Sequence, residues 1–145
     1  MSIDYDYMRA DYRQSINESL FDCKNFGEHM RLLIKEKGWD TVEFSEWTGL
    51  NNTMFSRIKR DDYMPDKRIF ATLCVAFELG MFEVMRIIQF TKITVLQKDD
   101  LLQKYFYVID CHRGKAIEEC NDILRALGVE EKDLLGSRKN KKSDK

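Results

Sequence analysis

Apolar residues recur at steps of three or four through most of this chain, and residues that start or stop helices separate the periodic runs. This period places apolar side chains on one face of a helix, whereas a half-buried strand needs alternation at every second residue. The 145 residues include one proline and seven glycines, so few positions interrupt the pattern. The sequence shows no convincing strand pairing and no internal repeat. It therefore predicts an all-α protein.

Short polar residues mark the starts of the predicted helices. Asn25 precedes an apolar stripe and has Glu28 three residues later, and Asp40 stands in the same relation to Glu43. A side-chain oxygen at such a position accepts a hydrogen bond from a free amide of the first helical turn. The same reasoning predicts later helix starts at Asn51, at Asp66 and at Asp99-Asp100.

These boundaries divide the chain into four parts. Residues 1–24 form an N-terminal helical extension, residues 25–92 a five-helix core, and residues 99–136 a C-terminal helical pair. Residues 137–145 are polar and charged, which predicts a disordered tail. The stretch 91–98 fits an extended segment or a helix end, and a linker is favoured there. The C-terminal pair cannot bury its apolar faces alone, so it must pack on the core, on the N-terminal helix or on a second subunit.

Two short helical patterns between Trp39 and Arg60 meet at Thr48-Gly49-Leu50. Glycine suits the left-handed residue of a tight turn. A helix-turn-helix requires inward residues on both helices and an exposed N-terminal part of the second helix. The expected inward residues are Phe44, Trp47, Leu50, Phe55 and Ile58. The residues left outward are Asn52, Thr53, Ser56 and Arg57.

The outward residues are types that read base edges in DNA. Asparagine pairs with adenine, threonine offers a hydroxyl and a methyl group, and arginine binds guanine through two hydrogen bonds. Lys59 and Arg60 follow and suit phosphate contacts. A solvated helix end that complements the helix dipole explains these two cations equally well, so both interpretations stay open.

The order of these segments resembles the phage-repressor and Cro-like helix-turn-helix proteins, also called the xenobiotic-response-element family. The resemblance covers five helices, roughly residues 25–90, and implies a lambda-repressor-like core of phage or mobile-element character. The segments that carry it are FGEHMRLLIKEKGW (26–39), TGL (48–50), FSRIKR (55–60), Pro65 before the fourth helix, and LCVAFELGMFEVMRII (73–88).

The resemblance implies a transcriptional regulator, most naturally a repressor, that binds duplex DNA as a homodimer with its third helix in the major groove. The implied base-reading residues are Asn52, Thr53 and Arg57, and the implied phosphate-binding residues are Thr41 and Asn51. The chain has Thr41 where this family usually has glutamine, and Ser45 where it usually has a small alanine. A shorter threonine implies a looser or water-mediated phosphate contact.

The net charge of −1 means that any DNA binding must come from a local patch. Residues 51–60 contain three cations and no acid, although Asp61 and Asp62 follow at once and would repel nearby phosphates. The near-neutral balance also favours a second hypothesis. In that hypothesis a repressor-like fold uses its flanking helices to bind a protein, for example as a phage-encoded inhibitor or adaptor of a host complex.

The flanking helices are the expected route to a dimer. An apolar stripe in the C-terminal pair consists of Leu102, Tyr105, Phe106 and Ile109. Association through these helices and the N-terminal one would set two recognition helices about one DNA turn apart, ~34 Å.

Other classes of function lack a sequence signature. The four cysteines show no C-x-x-C spacing, and Cys111-His112 with Cys120 gives too few ligands for a closed zinc site, so free thiols are expected. No apolar run approaches the ~18 residues needed to span a bilayer, and no secretory signal follows Met1. The sequence contains no Ser/His/Asp set and no phosphate loop. We therefore expect a cytoplasmic, non-enzymatic protein without metal, cofactor or membrane partner.

Overall fold

The computed structural model describes residues 22–136. In this range the chain is all-helical and contains no strand, which confirms the fold class predicted from the periodicity. Nearly all of the predicted N-terminal extension (1–24) and the whole predicted tail (137–145) lie outside the described residues. The described helices are α1 (Phe26–Lys37), α2 (Thr41–Thr48), α3 (Asn52–Arg57), α4 (Lys67–Ala76), α5 (Met81–Ile88), α6 (Asp100–Cys111) and α7 (Ile117–Ala126), followed by a 3-10 turn at Glu131–Asp133.

The predicted caps begin five of these helices. In each case a side-chain oxygen accepts a hydrogen bond of 2.8 to 3.1 Å from the amide three residues later. The capping residues are Asn25, Asp40, Asn51, Asp66 and Asp99. At α2 the box is reciprocal, because Glu43 Oε1 also accepts from the amide of Asp40 at 3.2 Å. At α1 the Glu28 carboxylate instead accepts from the amide of Lys24 at 2.6 Å.

Helix α4 lies at the centre of the described part of the chain. Its residues from Ile69 to Ala76 are all buried, and it packs against α2, α6 and α7. One apolar cluster joins side chains from α1, α2 and the five later helices or their flanking residues. Its largest fully buried members are Tyr105, Phe26, Phe44, Phe70, Met30, Ile58, Leu73, Ile87, Leu102, Ile109 and Leu124. The C-terminal pair therefore packs on the preceding five helices.

The prediction that Trp47 anchors the core is wrong. Its side chain is 53 % exposed on the outer face of α2, while Thr48 is fully buried. A helical period allows Phe44 to share its inward face with either residue. Thr48 takes that place, and its hydroxyl donates to the Phe44 carbonyl at 2.7 Å. The indole of Trp47 lies parallel to that of Trp39, with ring centroids 6.3 Å apart.

The apolar stripe on α6 is used inside the chain. Leu102, Tyr105 and Ile109 are buried in the common core, and Phe106 is half-buried against it. The Tyr105 hydroxyl donates to the carbonyl of Asp133 at 2.5 Å, and burial raises the pKa of this tyrosine above its usual range. The stripe therefore does not supply the free face that made it a candidate for subunit association.

The segment between α5 and α6 contains no helix, which agrees with the predicted linker. Helix α5 ends at Ile88. The start of α6 is tied to α4 by an ion pair between Lys67 Nζ and Asp99 Oδ2 at 2.7 Å. The hydrogen bond from Lys67 lowers the pKa of Asp99.

Candidate nucleic-acid interface

Helices α2 and α3 are joined by a turn of three residues over a shared apolar base. Gly49 has the left-handed conformation expected of it, with φ of 71°, and its amide donates to the Ser45 carbonyl at 2.9 Å. Leu50 in the turn and Ile58 after α3 are buried, as is Phe44 beneath them. The Phe55 ring meets the Phe44 ring edge-on at 5.1 Å. These contacts fix both helices to the core.

The four predicted base-reading residues share one exposed surface of α3. Asn52, Thr53, Ser56 and Arg57 are all exposed. With 3.6 residues per turn, their positions fall within an arc of roughly 140° around the helix axis. The surface contains two amide or guanidinium groups and two hydroxyl groups and bears no acid. It therefore presents the hydrogen-bonding groups that direct reading of base edges requires.

Ser45 links α2 to this surface. Its hydroxyl donates to Asn52 Oδ1 at 3.1 Å, so the amide group of Asn52 is held with one oxygen lone pair and its NH2 group still available. In the sequence, Ser45 is conspicuous only as a departure from the alanine that is usual in the family the chain resembles. The signal that could have revealed its role is the pairing of a hydroxyl with an amide seven residues later across a predicted turn.

The cations after the N-terminal half of α3 differ in their surroundings. The Arg57 guanidinium is exposed, lies 3.9 Å from Met54 Sδ and forms no ion pair with any residue of the described range. Lys59 is half-buried with its ammonium 3.8 Å from the centroid of the Phe55 ring. The Arg57 guanidinium is thus available to a ligand. The Lys59 ammonium, by contrast, already makes a favourable cation–π contact with the Phe55 ring in the free protein.

Both acids after α3 are paired with arginines. Arg31 on α1 forms an ion pair of 3.0 Å with Asp61 and also donates to the Lys59 carbonyl. Arg60 forms an ion pair of 3.4 Å with Asp62. The negative charges of Asp61 and Asp62, which would repel nearby phosphates, are therefore each offset by a neighbouring arginine. Because both pairs are exposed, each contributes only about 0–1 kcal/mol, so Arg60 stays exchangeable toward another anion.

The two other predicted phosphate-binding residues, Thr41 and Asn51, differ in how well their surroundings suit a phosphate. Thr41 is half-buried at the first residue of α2, between the carboxylates of Asp40 and Glu43 that form the capping box. Two neighbouring negative charges disfavour a phosphate there. Asn51 is exposed, and its Oδ1 accepts from the Met54 amide at 3.1 Å, which leaves its NH2 group as a donor.

Backbone contact with α1 sets the position of the loop that follows α3. A Cβ atom placed on Gly27 would lie 2.4 Å from the carbonyl oxygen of Arg60 and 2.7 Å from its carbonyl carbon. Only a residue without a side chain permits this approach. The N-terminal turn of α1 therefore presses directly on the end of the candidate surface.

Several titratable residues lie outside this surface. Across residues 22–136, no three His, Cys, Asp or Glu side chains are grouped in a way that could hold a metal ion. Burial raises the pKa of the Cys120 thiol to about 11, and it lowers the pKa of His29, whose Nδ1 lies 2.7 Å from the Asn25 carbonyl. None of the described helices has the length and apolarity needed to cross a membrane.

Comparison of the chain with known protein families, with curated protein sequences and with solved structures gives no significant match. The resemblance to phage-repressor and Cro-like proteins therefore stays a prediction based on the quoted segments. Support for a function consequently comes from the geometry and chemistry of α2 and α3.

Proposed function

We propose that this chain is a sequence-specific DNA-binding regulator of transcription, most naturally a repressor that blocks a promoter by occupying it. In this proposal α1–α5 form a lambda-repressor-like helix-turn-helix unit, and α3 enters the major groove. The observation that carries the proposal is the exposed, acid-free face of α3, which is held by a capped turn and buried anchors below it.

Each exposed residue of α3 has a role in this proposal. Asn52 pairs with adenine through the NH2 group and the oxygen lone pair that the bond to Ser45 leaves available. Arg57 binds O6 and N7 of guanine, and Thr53 and Ser56 add hydroxyl or methyl contacts. A good bidentate contact discriminates against a wrong base by about 1–3 kcal/mol.

The DNA contact is tested by replacing Arg57 with alanine in the full chain, after selecting a preferred duplex from a random pool. We expect the affinity for that duplex to fall about 5–150-fold, and the preference at one base position to relax, because one bidentate contact is lost. Lys59→Gln should weaken all sequences alike and lower the salt dependence by about one phosphate. Binding is measured by fluorescence anisotropy over a range of salt concentrations.

The matched control for this experiment is Arg125→Ala. Arg125 lies on α7 in ion pairs with Asp122 and Glu131, so its loss removes one charge of the same type away from α3. It should leave the base preference unchanged. If the unaltered chain is not retained on any duplex at low salt, the DNA-binding proposal fails.

We also propose that the chain acts as a dimer, as the resemblance implies. Because the α6 stripe is buried, association would use apolar side chains that stay exposed near α5 and α6, such as Phe82, Leu96 and Tyr107, which are 61, 44 and 43 % exposed. We expect sedimentation analysis to give twice the chain mass of 17.3 kDa at micromolar concentration. A mass that stays monomeric in the presence of the selected duplex would remove the dimer from the proposal.

A second candidate is a protein-interaction module with the same helical arrangement. It is favoured by the outer face of α2, where Val42 and Trp47 are 64 and 53 % exposed beside Glu43 and Glu46. Exposed apolar groups flanked by carboxylates suit a protein partner and repel phosphate. This candidate takes the lead if DNA retention is absent at low salt.

A further inference from the structure

A hydrogen bond between two side chains joins α2 to the start of α3. The Ser45 hydroxyl donates to Asn52 Oδ1 at 3.1 Å, and the Ser45 carbonyl accepts from the amide of Gly49 at 2.9 Å. Gly49 has the left-handed conformation that ends α2. Ser45 is half-buried, whereas Asn52 is exposed as the first residue of α3. The fold between the two helices therefore sets where the hydroxyl lies, and that hydroxyl holds the amide of Asn52.

This bond restricts the orientation of the Asn52 side chain. The terminal torsion of an asparagine is broad, so an exposed amide without a partner samples many orientations. With Oδ1 bonded to Ser45, the amide of Asn52 keeps its NH2 group and one oxygen lone pair for a ligand. No acid occurs in α3 to compete for the NH2 group. The amide thus presents one donor and one acceptor side by side, in a direction set by α2.

One donor beside one acceptor matches the major-groove edge of adenine. Adenine presents its N6 amino group as a donor next to N7 as an acceptor, whereas guanine presents two acceptors. Cytosine presents a donor without an adjacent acceptor, and thymine presents an acceptor beside a methyl group. Under the proposed function, Asn52 therefore binds adenine with Oδ1 at N6 and Nδ2 at N7. An amide held in one direction is poorly suited to any of the other three patterns.

Methylation of adenine at N6 removes the donor that Oδ1 of Asn52 requires. In a pair with thymine, one N6 hydrogen is used in the base pair, so the methyl group replaces the hydrogen that points into the major groove. The Asn52 oxygen then faces a methyl group and loses its partner. A freely rotating amide can turn its oxygen away and keep the bond to N7. An amide bonded to Ser45 has to break that bond first.

We propose that Ser45 makes the base-reading surface of α3 specific for adenine that is unmethylated at N6. This inference rests on the proposed DNA-binding function and adds the chemical state of the DNA to it. Ser45 is a positioning residue here, because it acts through Asn52 and need not touch the DNA. Methylation of one adenine in the bound sequence then lowers the occupancy, so that binding responds to modification of the target.

The first test uses the full chain and the duplex that it selects from a random pool. Asn52→Ala should relax the preference at one base position, which identifies the base that Asn52 contacts. We expect this base to be adenine, and N6-methyladenine at that position to lower the affinity about 5–150-fold, because one bidentate contact is lost. The matched control places N6-methyladenine at a position whose identity the selection leaves free, and it should leave the affinity unchanged. Binding is measured by fluorescence anisotropy.

The second test measures the contribution of Ser45 as the ratio of the affinities for the unmethylated and the methylated duplex. Ser45→Ala removes the hydroxyl and releases the amide of Asn52, so we expect this ratio to fall about 2–10-fold, the equivalent of one hydrogen bond. Ser45→Thr retains a hydroxyl and should keep the ratio of the parent. The matched control is Ser56→Ala, which removes an exposed hydroxyl from the same face of α3 and should change both affinities by the same factor.

The possible results separate this inference from the proposed function. If the chain binds its duplex but the base contacted by Asn52 is not adenine, or its methylation leaves the affinity unchanged, the inference is refuted and the function of α3 stands. If Ser45→Ala keeps the ratio of the parent, Ser45 does not position the amide and the inference is refuted as well. If the unaltered chain is retained on no duplex at low salt, the proposed function and the inference fail together.

Discussion

Replacing Gly27 with alanine is expected to lower the free energy of unfolding by about 3 kcal/mol, and the melting temperature by about 10 °C. The added Cβ would lie 2.4 Å from the Arg60 carbonyl oxygen, and both groups belong to backbone that cannot move independently. The turn of α1 must therefore separate from the loop after α3. The measurement is thermal and urea unfolding followed by circular dichroism.

The sign of the change in the free energy of unfolding distinguishes a steric clash at Gly27 from an effect of helix propensity. Gly27 lies in the first turn of α1, where helix propensity alone predicts that alanine stabilises the protein by up to about 1 kcal/mol. Gly38→Ala is the control, because a Cβ added to Gly38 would meet no atom within 4 Å. Gly38 has φ of 71°, so this change should lower the free energy of unfolding by only about 1 kcal/mol through backbone strain. A Gly27 variant as stable as the parent would show that α1 and the loop are not in contact.

Replacing Asn121 with alanine is the second change for which we expect a large effect, a loss of about 3 kcal/mol. The side chain is fully buried and satisfies both the amide and the carbonyl of Leu135. Its removal breaks two buried hydrogen bonds, each contributing about 0.5–1.5 kcal/mol, and leaves the volume of the side chain unfilled. Urea unfolding measures the loss, and hydrogen exchange at the Leu135 amide should accelerate beyond the change in global stability.

The neighbouring residue provides the control. Asp122 follows Asn121 on α7 but is exposed, and its ion pair with Arg125 is a surface contact. Asp122→Ala should therefore cost no more than about 1 kcal/mol and leave exchange at Leu135 unchanged. Equal effects of the two substitutions would contradict the assigned role of Asn121 in holding the end of the described chain.

Features that depend on neighbouring residues could be read from the sequence. The caps at Asp40, Asn51 and Asp66 involve an amide three residues away, so the necessary information is local. The left-handed conformation of Gly49 is equally local, because few other residues adopt it without strain. For this reason the helix order and the turn between α2 and α3 were predictable.

Features that depend on distant packing were not predictable in this way. The period of α2 permits either Trp47 or Thr48 inward, and the choice depends on which side chain fits against α4. Likewise, the apolar stripe on α6 indicates that this face is buried, but it does not indicate whether the residues that bury it belong to the same chain. Sequence periodicity identifies a buried face without identifying its partner.

In the candidate site, too, local features follow from the sequence, whereas contacts between distant residues do not. The exposure of Asn52 and Arg57 follows from their helical positions, whereas the neutralisation of Asp61 depends on Arg31, which lies thirty residues earlier in the chain. The contact between Gly136 and Gly49 joins residues still further apart. Such pairings depend on the tertiary fold, and neither composition nor spacing indicates them.

Under the proposed function, the glycine contacts beyond the two ends of α3 bear on how its base preference can change by mutation. A helix of six residues would not persist in isolation, so its position depends on the core beneath it, on the contact of Gly27 with Arg60 beyond one end and on the contact of Gly49 with Gly136 beyond the other. None of these three positions is among the outward residues of α3. The residues that position α3 and the residues that would contact DNA are thus separate sets. We expect the outward residues of α3 to tolerate substitutions that change its base preference while the three glycines stay unchanged.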